Sequence, residues 1–388
     1  MIIRCEYSRS TDAIQKAIDT LDDKGGTVIV PAGEWHTGPL HLKSHLKLEF
    51  EEGSILVFSP VFSDYLPLVL TRWEGTECYN YSPLIYAKDC QDITIQGNGI
   101  LYGNGEAWWS WKKKQQKAAD ELCTAVSRKI PVNERIFGTE TACLRPSFLQ
   151  LLNCQDICLK DFTIVDGPQW TIHPVYCSNV YASNIKVFTH GPNTDGFNPD
   201  SCDHVTIDHC IFHTGDDGIA INSGLNEDGW RVGKPCHDIE ISNCLFTGGH
   251  AAVAIGSAMS GGVDHVNVHD CTVYGTERGI RIKSMPGRGG YVRNIHFKNI
   301  SISDSAEEAV EISMHYGSST SKPVSAVAPI FEDIYLEDVK IENAVKGVSL
   351  CGLAESPLRI QIRNLKTVTC TVLVKVYNTH SHSWLTDD

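Results

Sequence analysis

No stretch of this sequence approaches the ~18 consecutive apolar residues of a membrane-spanning helix, so a helical membrane anchor is excluded. Cations are in deficit: 33 Lys and Arg stand against 47 Asp and Glu, a formal charge of −14. An acidic chain is a poor non-specific binder of nucleic acid or of an anionic membrane, and neither is expected as a partner. The N-terminus, MIIRCEYSRS, lacks the apolar core and cleavage site of a signal peptide. The cysteines number 15, which is odd. Together these predict a reduced, cytoplasmic chain rather than a disulfide framework. A secreted or periplasmic chain with its leader removed would read the same way. No phosphate-binding loop, dinucleotide fingerprint or nucleophilic Ser or Cys triad is present; the glycines of GNGILYGNGEAWW have no βαβ context. No metal and no cofactor is implied.

What the chain does have is a repeat. Short segments with strand-like alternation recur: CQDITI, CQDICL, CSNVYA, CDHVTI, CHDIEI, VDHVNV, VRNIHF, FEDIYL and PLRIQI. Their fourth residues are Ile93, Ile157, Val180, Val205, Ile239, Val266, Ile295, Ile334 and Ile360, spaced after the first gap by 23, 25, 34, 27, 29, 39 and 26 residues. Five positions further on, from the second segment, stand Phe162, Ile185, Cys210, Cys244, Cys271, Ile300, Val339 and Leu365, all apolar. Such a period built from short β runs predicts a β-solenoid with one apolar face turned inward and residues stacked in ladders. A solenoid grows in one dimension, so 388 residues fit one domain although single cores stop growing near ~250–300 residues. Most cysteines then become buried ladder residues, Cys154 and Cys158 included. Those two lack a partner pair at zinc spacing.

Residues 12–21, DAIQKAIDTL, place Ile14, Ile18 and Leu21 on one helical face behind Ser10, Thr11 and Asp12 as possible caps. A helix closing the N-terminal mouth of the solenoid is expected. Residues 106–142 interrupt the β pattern and favour helix; they read as an insertion, not a second domain.

The chemistry falls in four successive repeats. Asp195 of NTDG lies 15 residues past Val180, and Arg281 of RIK 15 past Val266. Asp216 of GDD lies 11 past Val205, and His250 of GGH 11 past Ile239. Stacked coils bring matching offsets together, so these groups predict one patch. Period two puts Arg281 and Lys283 on one strand face. Asp216 and Asp217 can both face the patch only at a bend, which Gly215 and Gly218 permit. Crowded carboxylates push one pKa upward, and a protonated carboxyl beside an ionised one suits glycosidic hydrolysis: one protonates the leaving oxygen, the other activates water. The two cations would hold an anionic sugar. Each motif alone has a plain reading as a turn, a packed histidine or a solvated strand face; their shared offsets argue for a site.

NTDGFNPDSC, GDDGIAINSG, GGHAAVAIGS and RGIRIK, in that order, resemble the polygalacturonases, glycoside hydrolase family 28. The resemblance runs from DAIQKAID and GGTVIVPAG through RPSFLQLLNC and WTIHPVYC to RIK. It implies an all-β, right-handed parallel β-helix and hydrolysis, with inversion, of α-1,4-linked galacturonic acid in an oligo- or polysaccharide. It assigns Asp216 as general acid, Asp195 and Asp217 as the carboxylates that activate water, and His250 as support for the acid and the substrate. Arg281 and Lys283 would bind the galacturonate carboxylate, Tyr316 would be a further substrate contact, and Asn193 would order the first motif. The chain departs from the family at Gly218, usually Cys, at Ala251, often Gly, and at Asn198, often Asp. It also lacks the family's usual leading strand ahead of the AIQ helix.

RWEGTECYNYSPLIYA, residues 72–87, is similar to exo-acting bacterial members, and the insertion could wall off one end of a cleft. Exo action is favoured over endo action; a rhamnogalacturonan or xylogalacturonan substrate stays open. Arg72 is a candidate second carboxylate binder or a surface arginine beside Trp73. WWSW, residues 108–111, would stack on sugars or pack the insertion. A calcium-dependent pectate lyase would need a calcium-binding carboxylate cluster, and a non-catalytic carbohydrate-binding solenoid would not need the aspartate triad. Inverting geometry would set about 6.5–9.5 Å between acid and base.

Overall fold

The structure, a computed structural model, describes residues 1–6, 11–317 and 327–384. The fold is all-β, with the repeated parallel ladders of a right-handed parallel β-helix. The coils group into two compact units, residues 1–198 and 199–388.

In the first unit Ile2–Arg4, Gly26–Val30, Leu46–Phe50, Gln91–Gly97, Gln155–Lys160 and Ser178–Ser183 pair in parallel, each with the next. Ile93, Ile157 and Val180 share one register row. A separate ladder, Leu40–His41, Ile85–Lys88, Leu149–Leu152 and Ile172–Val175, forms another side of each coil. In the second unit Val205, Ile239, Val266, Ile295, Ile334 and Ile360 follow one another in register. Its counterpart ladder is Ile219–Ile221, Ala251–Ile255, Arg278–Lys283, Glu308–Ser313, Ala344–Cys351 and Cys370–Tyr377. The register residues and their alternate neighbours are buried, as the period-two pattern requires. Phe212 and Phe246 stack with ring centroids 5.4 Å apart.

The chain bends at fixed places in its coils. The residue before each register mark from Ile93 to Ile334 has positive φ: Asp92, Asp156, Asn179, His204, Asp238, His265, Asn294 and Asp333. So has the residue four after it: Asp161, Asn184, His209, Asn243, Asp270, Asn299, Asp338 and Asn364. Asn, Asp and His tolerate the left-handed region better than other side chains. Their side chains also bond from coil to coil, as Asn179 donates to Asp156 at 2.9 Å and Asn243 to Asp208 at 2.8 Å. These polar columns are as regular as the apolar ones.

Three expectations are corrected. A strand, Ile2–Arg4, does precede the helix, pairing with Gly26–Val30; three residues were too few to show a pattern. The helix Ala13–Thr20 buries Ile14 and Ile18, but Asp12 at its N-cap makes no side-chain cap bond and pairs with Lys16 at 2.7 Å; Ser10 lies outside the described residues. Cys154 is buried, whereas Cys158 is only partly so, because it alternates outward between Ile157 and Leu159.

The insertion is helical at Glu106–Trp109 and Gln116–Ser127. Trp108 and Trp111 are buried among Phe62, Tyr65 and Tyr81, and Trp109 donates to the Gly167 carbonyl at 3.0 Å. WWSW is packing. Ala118 and Leu122 pack against Trp73 and Cys78, on the antiparallel hairpin of Val69–Trp73 with Thr76–Asn80. The insertion therefore buttresses that hairpin.

Candidate active site

The ladder that begins at Ile219–Ile221 carries the predicted site residues of the second unit. Residues Gly215 and Asp216 form a bend just ahead of that strand, so both aspartates escape the strict alternation of a strand. Two close approaches hold the bend. A Cβ on Gly249, at φ +99°, would lie 2.3 Å from the Asp216 carbonyl oxygen. A Cβ on Gly218 would lie 2.6 Å from Phe246 Cδ1 and 2.7 Å from the Ala252 carbonyl. The departure at position 218 thus has a packing cause, since this core has no room for a cysteine there.

Equal offsets do bring Asp216 and His250 together. His250 Nδ1 lies 3.0 Å from Asp216 Oδ1, and the His250 amide donates to the Asp216 carbonyl at 3.0 Å. Asp216 Oδ1 also accepts from the Asp217 amide at 3.0 Å. On the far side, His250 Nε2 lies 3.7 Å from Glu277. Asp217 is 2 % exposed, and its Oδ2 accepts from Lys283 Nζ at 2.6 Å. Its Oδ1 is buried without a hydrogen-bond partner among the described residues. Arg281 and Lys283 share a strand face, and each cation lies 5.3 Å from the Tyr316 ring centroid. Six predicted residues, Asp216, Asp217, His250, Arg281, Lys283 and Tyr316, therefore converge.

The electrostatics correct one expectation. Burial pushes the Asp216 carboxyl up, but its hydrogen bond to His250 and the charges of His250 and Lys283 outweigh this, leaving it below the usual carboxylate range. Crowding by other aspartates does not dominate. The matching partner is His250, raised chiefly by its hydrogen bond to Asp216 despite burial, with Glu277 and Asp217 adding to the effect. Burial pulls Lys283 down most strongly, but Asp217, Tyr316 and Asp216 together outweigh it and leave the ammonium raised above its ordinary value. One hydrogen bond, between Asp216 and His250, thus holds the carboxyl down and the imidazole up, which favours the ion pair.

Asn193, Asp195 and Arg72 belong to the first unit. Asn193, at φ 56°, accepts from Arg145 Nη2 at 2.8 Å. Arg145 is fully buried and also donates to the carbonyls of Pro168 and Pro192, at 3.0 and 2.6 Å, and to Gln115 at 3.0 Å. This guanidinium, which sequence reading did not single out, fixes the NTDG loop from beneath. Asp195 Oδ2 accepts from Asn198 Nδ2 at 2.8 Å; an aspartate at 198 would place a second charge there, so Asn198 replaces repulsion with a hydrogen bond. Arg72 is 1 % exposed, which corrects its reading as a surface residue, and lies 4.8 Å from the Tyr176 ring centroid.

The hairpin that carries Arg72 covers its ladder. Tyr86 Oη donates to the Leu70 carbonyl at 2.7 Å, Gln150 Nε2 to the Arg72 carbonyl at 3.2 Å, and Tyr176 Oη to Glu77 at 2.9 Å. All of Leu149–Leu152 and Ile172–Val175 is buried in consequence.

A parallel β-helix that presents a carboxylate–histidine pair beside two cations defines a carbohydrate-processing class. Comparison with known proteins narrows it: the family profile "Glycosyl hydrolases family 28" matches residues 26–383, and the chain belongs to that family. It is similar to a probable polygalacturonase of Vitis vinifera, 30 % identical over 362 residues, covering 90 % of this chain and 68 % of that protein. It is 27 % identical over 368 residues to the exo-poly-alpha-D-galacturonosidase of Dickeya chrysanthemi, covering 86 % of this chain and 60 % of that one. The crystal structure of a hyperthermoactive exopolygalacturonase from Thermotoga maritima superposes with a TM-score of 0.94 at 33 % identity, covering 99 % of this chain and 90 % of that chain.

Proposed function

We propose that the protein hydrolyses α-1,4-galacturonosidic bonds with inversion and releases galacturonate from a chain end. The observation that carries this reading is the Asp216–His250 proton pair beside Asp217 and Lys283, in a chain of family 28. Exo action is supported by the likeness to the exopolygalacturonase of Thermotoga maritima, 33 % identical over 99 % of this chain.

In the proposed reaction Arg281 and Lys283 attract the galacturonate carboxylate. That added negative charge weakens the cationic hold on Asp216 and raises its proton affinity. The proton passes from His250 Nδ1 to the Asp216 carboxylate and on to the glycosidic oxygen as the bond to the anomeric carbon breaks. A water oxygen bonds that carbon from the opposite face, and its proton goes to Asp217, whose Oδ1 has no hydrogen-bond partner among the described residues and whose carboxylate lies within 4.8 Å of that of Asp216, nearer than the general inverting spacing. The family motif order assigns Asp195 as the second carboxylate of this step.

The test is a time course on digalacturonate and longer oligomers with chelator present, products separated by length and the new anomer read by NMR. Saturated monogalacturonate appearing first, as the β-anomer, is the expected result. Mixed saturated oligomers from the start would replace exo with endo action, and unsaturated products would overturn hydrolysis.

A further inference from the structure

We infer that Glu311 is a specificity-determining residue, selecting against a charged sugar in the position that follows the one held by Arg281 and Lys283. The inference rests on the proposed hydrolysis of galacturonate chains and names a preference within it.

In the ladder, Arg281 registers with Glu311, and Glu311 with Ser349; in the adjacent outward row Lys283 registers with Ser313, and Ser313 with Cys351. Ile280, Ile282, Val310, Ile312, Val348 and Leu350 alternate inward and are buried, so these rows face out. Neighbouring strands are about 4.8 Å apart, close to the length of one sugar in an extended chain. A chain whose first leaving sugar lies over Arg281 and Lys283 therefore lays its next sugar over Glu311 and Ser313. There it meets a carboxylate and a hydroxyl, with the neutral Ser349 and Cys351 on the strand beyond; the next cation of the row, Lys375, stands two strands past Glu311.

Glu311 is firmly placed. Its Oε2 lies 2.8 Å from Arg281 Nε and 3.0 Å from Arg278 Nε, and its side chain is 20 % exposed. Arg281 thus offers only its remaining edge to a substrate carboxylate. Arg278 is already shared among Glu277, Glu307 and Glu308, so it has little charge left for a substrate. A free galacturonate carboxylate over Glu311 meets like charge in a partly desolvated place, whereas an esterified or neutral sugar, or the end of the chain, does not.

The experiment measures kcat/KM on digalacturonate, trigalacturonate, and trigalacturonate methyl-esterified on its reducing-end unit, for wild type and E311Q. Digalacturonate ends before Glu311. Wild type is expected to favour it over trigalacturonate by about fivefold or more, and the methyl ester should close that gap. In E311Q, which keeps an acceptor for Arg281, the free trigalacturonate should draw level with its ester. Wild type that handles free and esterified trigalacturonate alike overturns the inference, and so does an unchanged ratio in folded E311Q. If E311Q does not melt cooperatively, the wild-type ester comparison decides alone. Failure of wild type on every substrate instead overturns the hydrolase reading, and this inference with it.

Discussion

Lys283 Nζ stands 2.6 Å from Asp217 Oδ2, and both side chains are almost wholly withdrawn from water, at 8 % and 2 % exposed. A buried ion pair contributes little net stability, but losing one member leaves an uncompensated charge and costs about 3–5 kcal/mol. Lys283→Met should therefore lower the melting temperature as well as activity. A melting temperature equal to that of the wild type would show that Asp217 is not left uncompensated.

Glycosidic protonation depends on the pair made by Asp216 and His250. With the His250 pKa raised and that of Asp216 lowered, activity should fall as pH rises through the histidine's pKa. In His250→Ala the carboxyl must hold the proton alone. The alkaline limb should move to lower pH, with a loss on the order of 10²-fold at neutral pH. An unmoved alkaline limb would remove His250 from the proton path. The linkage to stability runs in step: His250, raised on folding, contributes below its unfolded pKa and loses that contribution as pH rises through its folded one. Asp216, lowered on folding, contributes above its unfolded pKa and loses that as pH falls through its folded one. The pair should stabilise the protein most in the window between.

The bend that holds the aspartates has no spare volume. Gly218→Ala would put a methyl group 2.6 Å from Phe246 Cδ1, forcing a shift in the core or in the bend; overpacking of this kind costs about 1–3 kcal/mol. Activity should fall more than stability, because the displaced groups are Asp216 and Asp217. Melting curves run beside kcat separate the two effects, and wild-type values in both would show the bend to be compliant.

Asn243, at φ 53°, tests the polar columns. A left-handed backbone costs an ordinary side chain about 1–2 kcal/mol. Asn243→Ala should be destabilised by roughly that amount, measured by urea unfolding, while Asn243→Gly should lose less. Equal losses would mean that the 2.8 Å bond from Asn243 to Asp208, and not φ, sets the preference.

Much of this was legible in the chain. The apolar columns marked by Ile157, Val205 and Ile239 became register rows because stacking is the way a short β coil can bury a single apolar face. The polar columns around Asp156 and Asn243 were equally present in the sequence, yet they carry a backbone conformation and no hydrophobic signal, so hydrophobic periodicity passes over them. The site was legible where offsets matched, as for Asp216 and His250, 11 residues past their marks. Glu311 escaped notice because it falls 16 past Ile295 where Arg281 falls 15 past Val266, a slip of one residue absorbed in the preceding turn.

The sequence by itself determined the repeat, the ladder positions and the order of the charged motifs, since each follows from spacing along one strand path. Tertiary structure alone decided which charges face each other. It paired Lys283 with Asp217 and set His250 against Asp216, which lowers a carboxyl that crowding was expected to raise. It also seated Arg145 beneath Asn193 and laid the Val69–Asn80 hairpin over its ladder. A pKa depends on distances of a few ångströms and on exclusion of water, and neither is written in the spacing of residues along a chain.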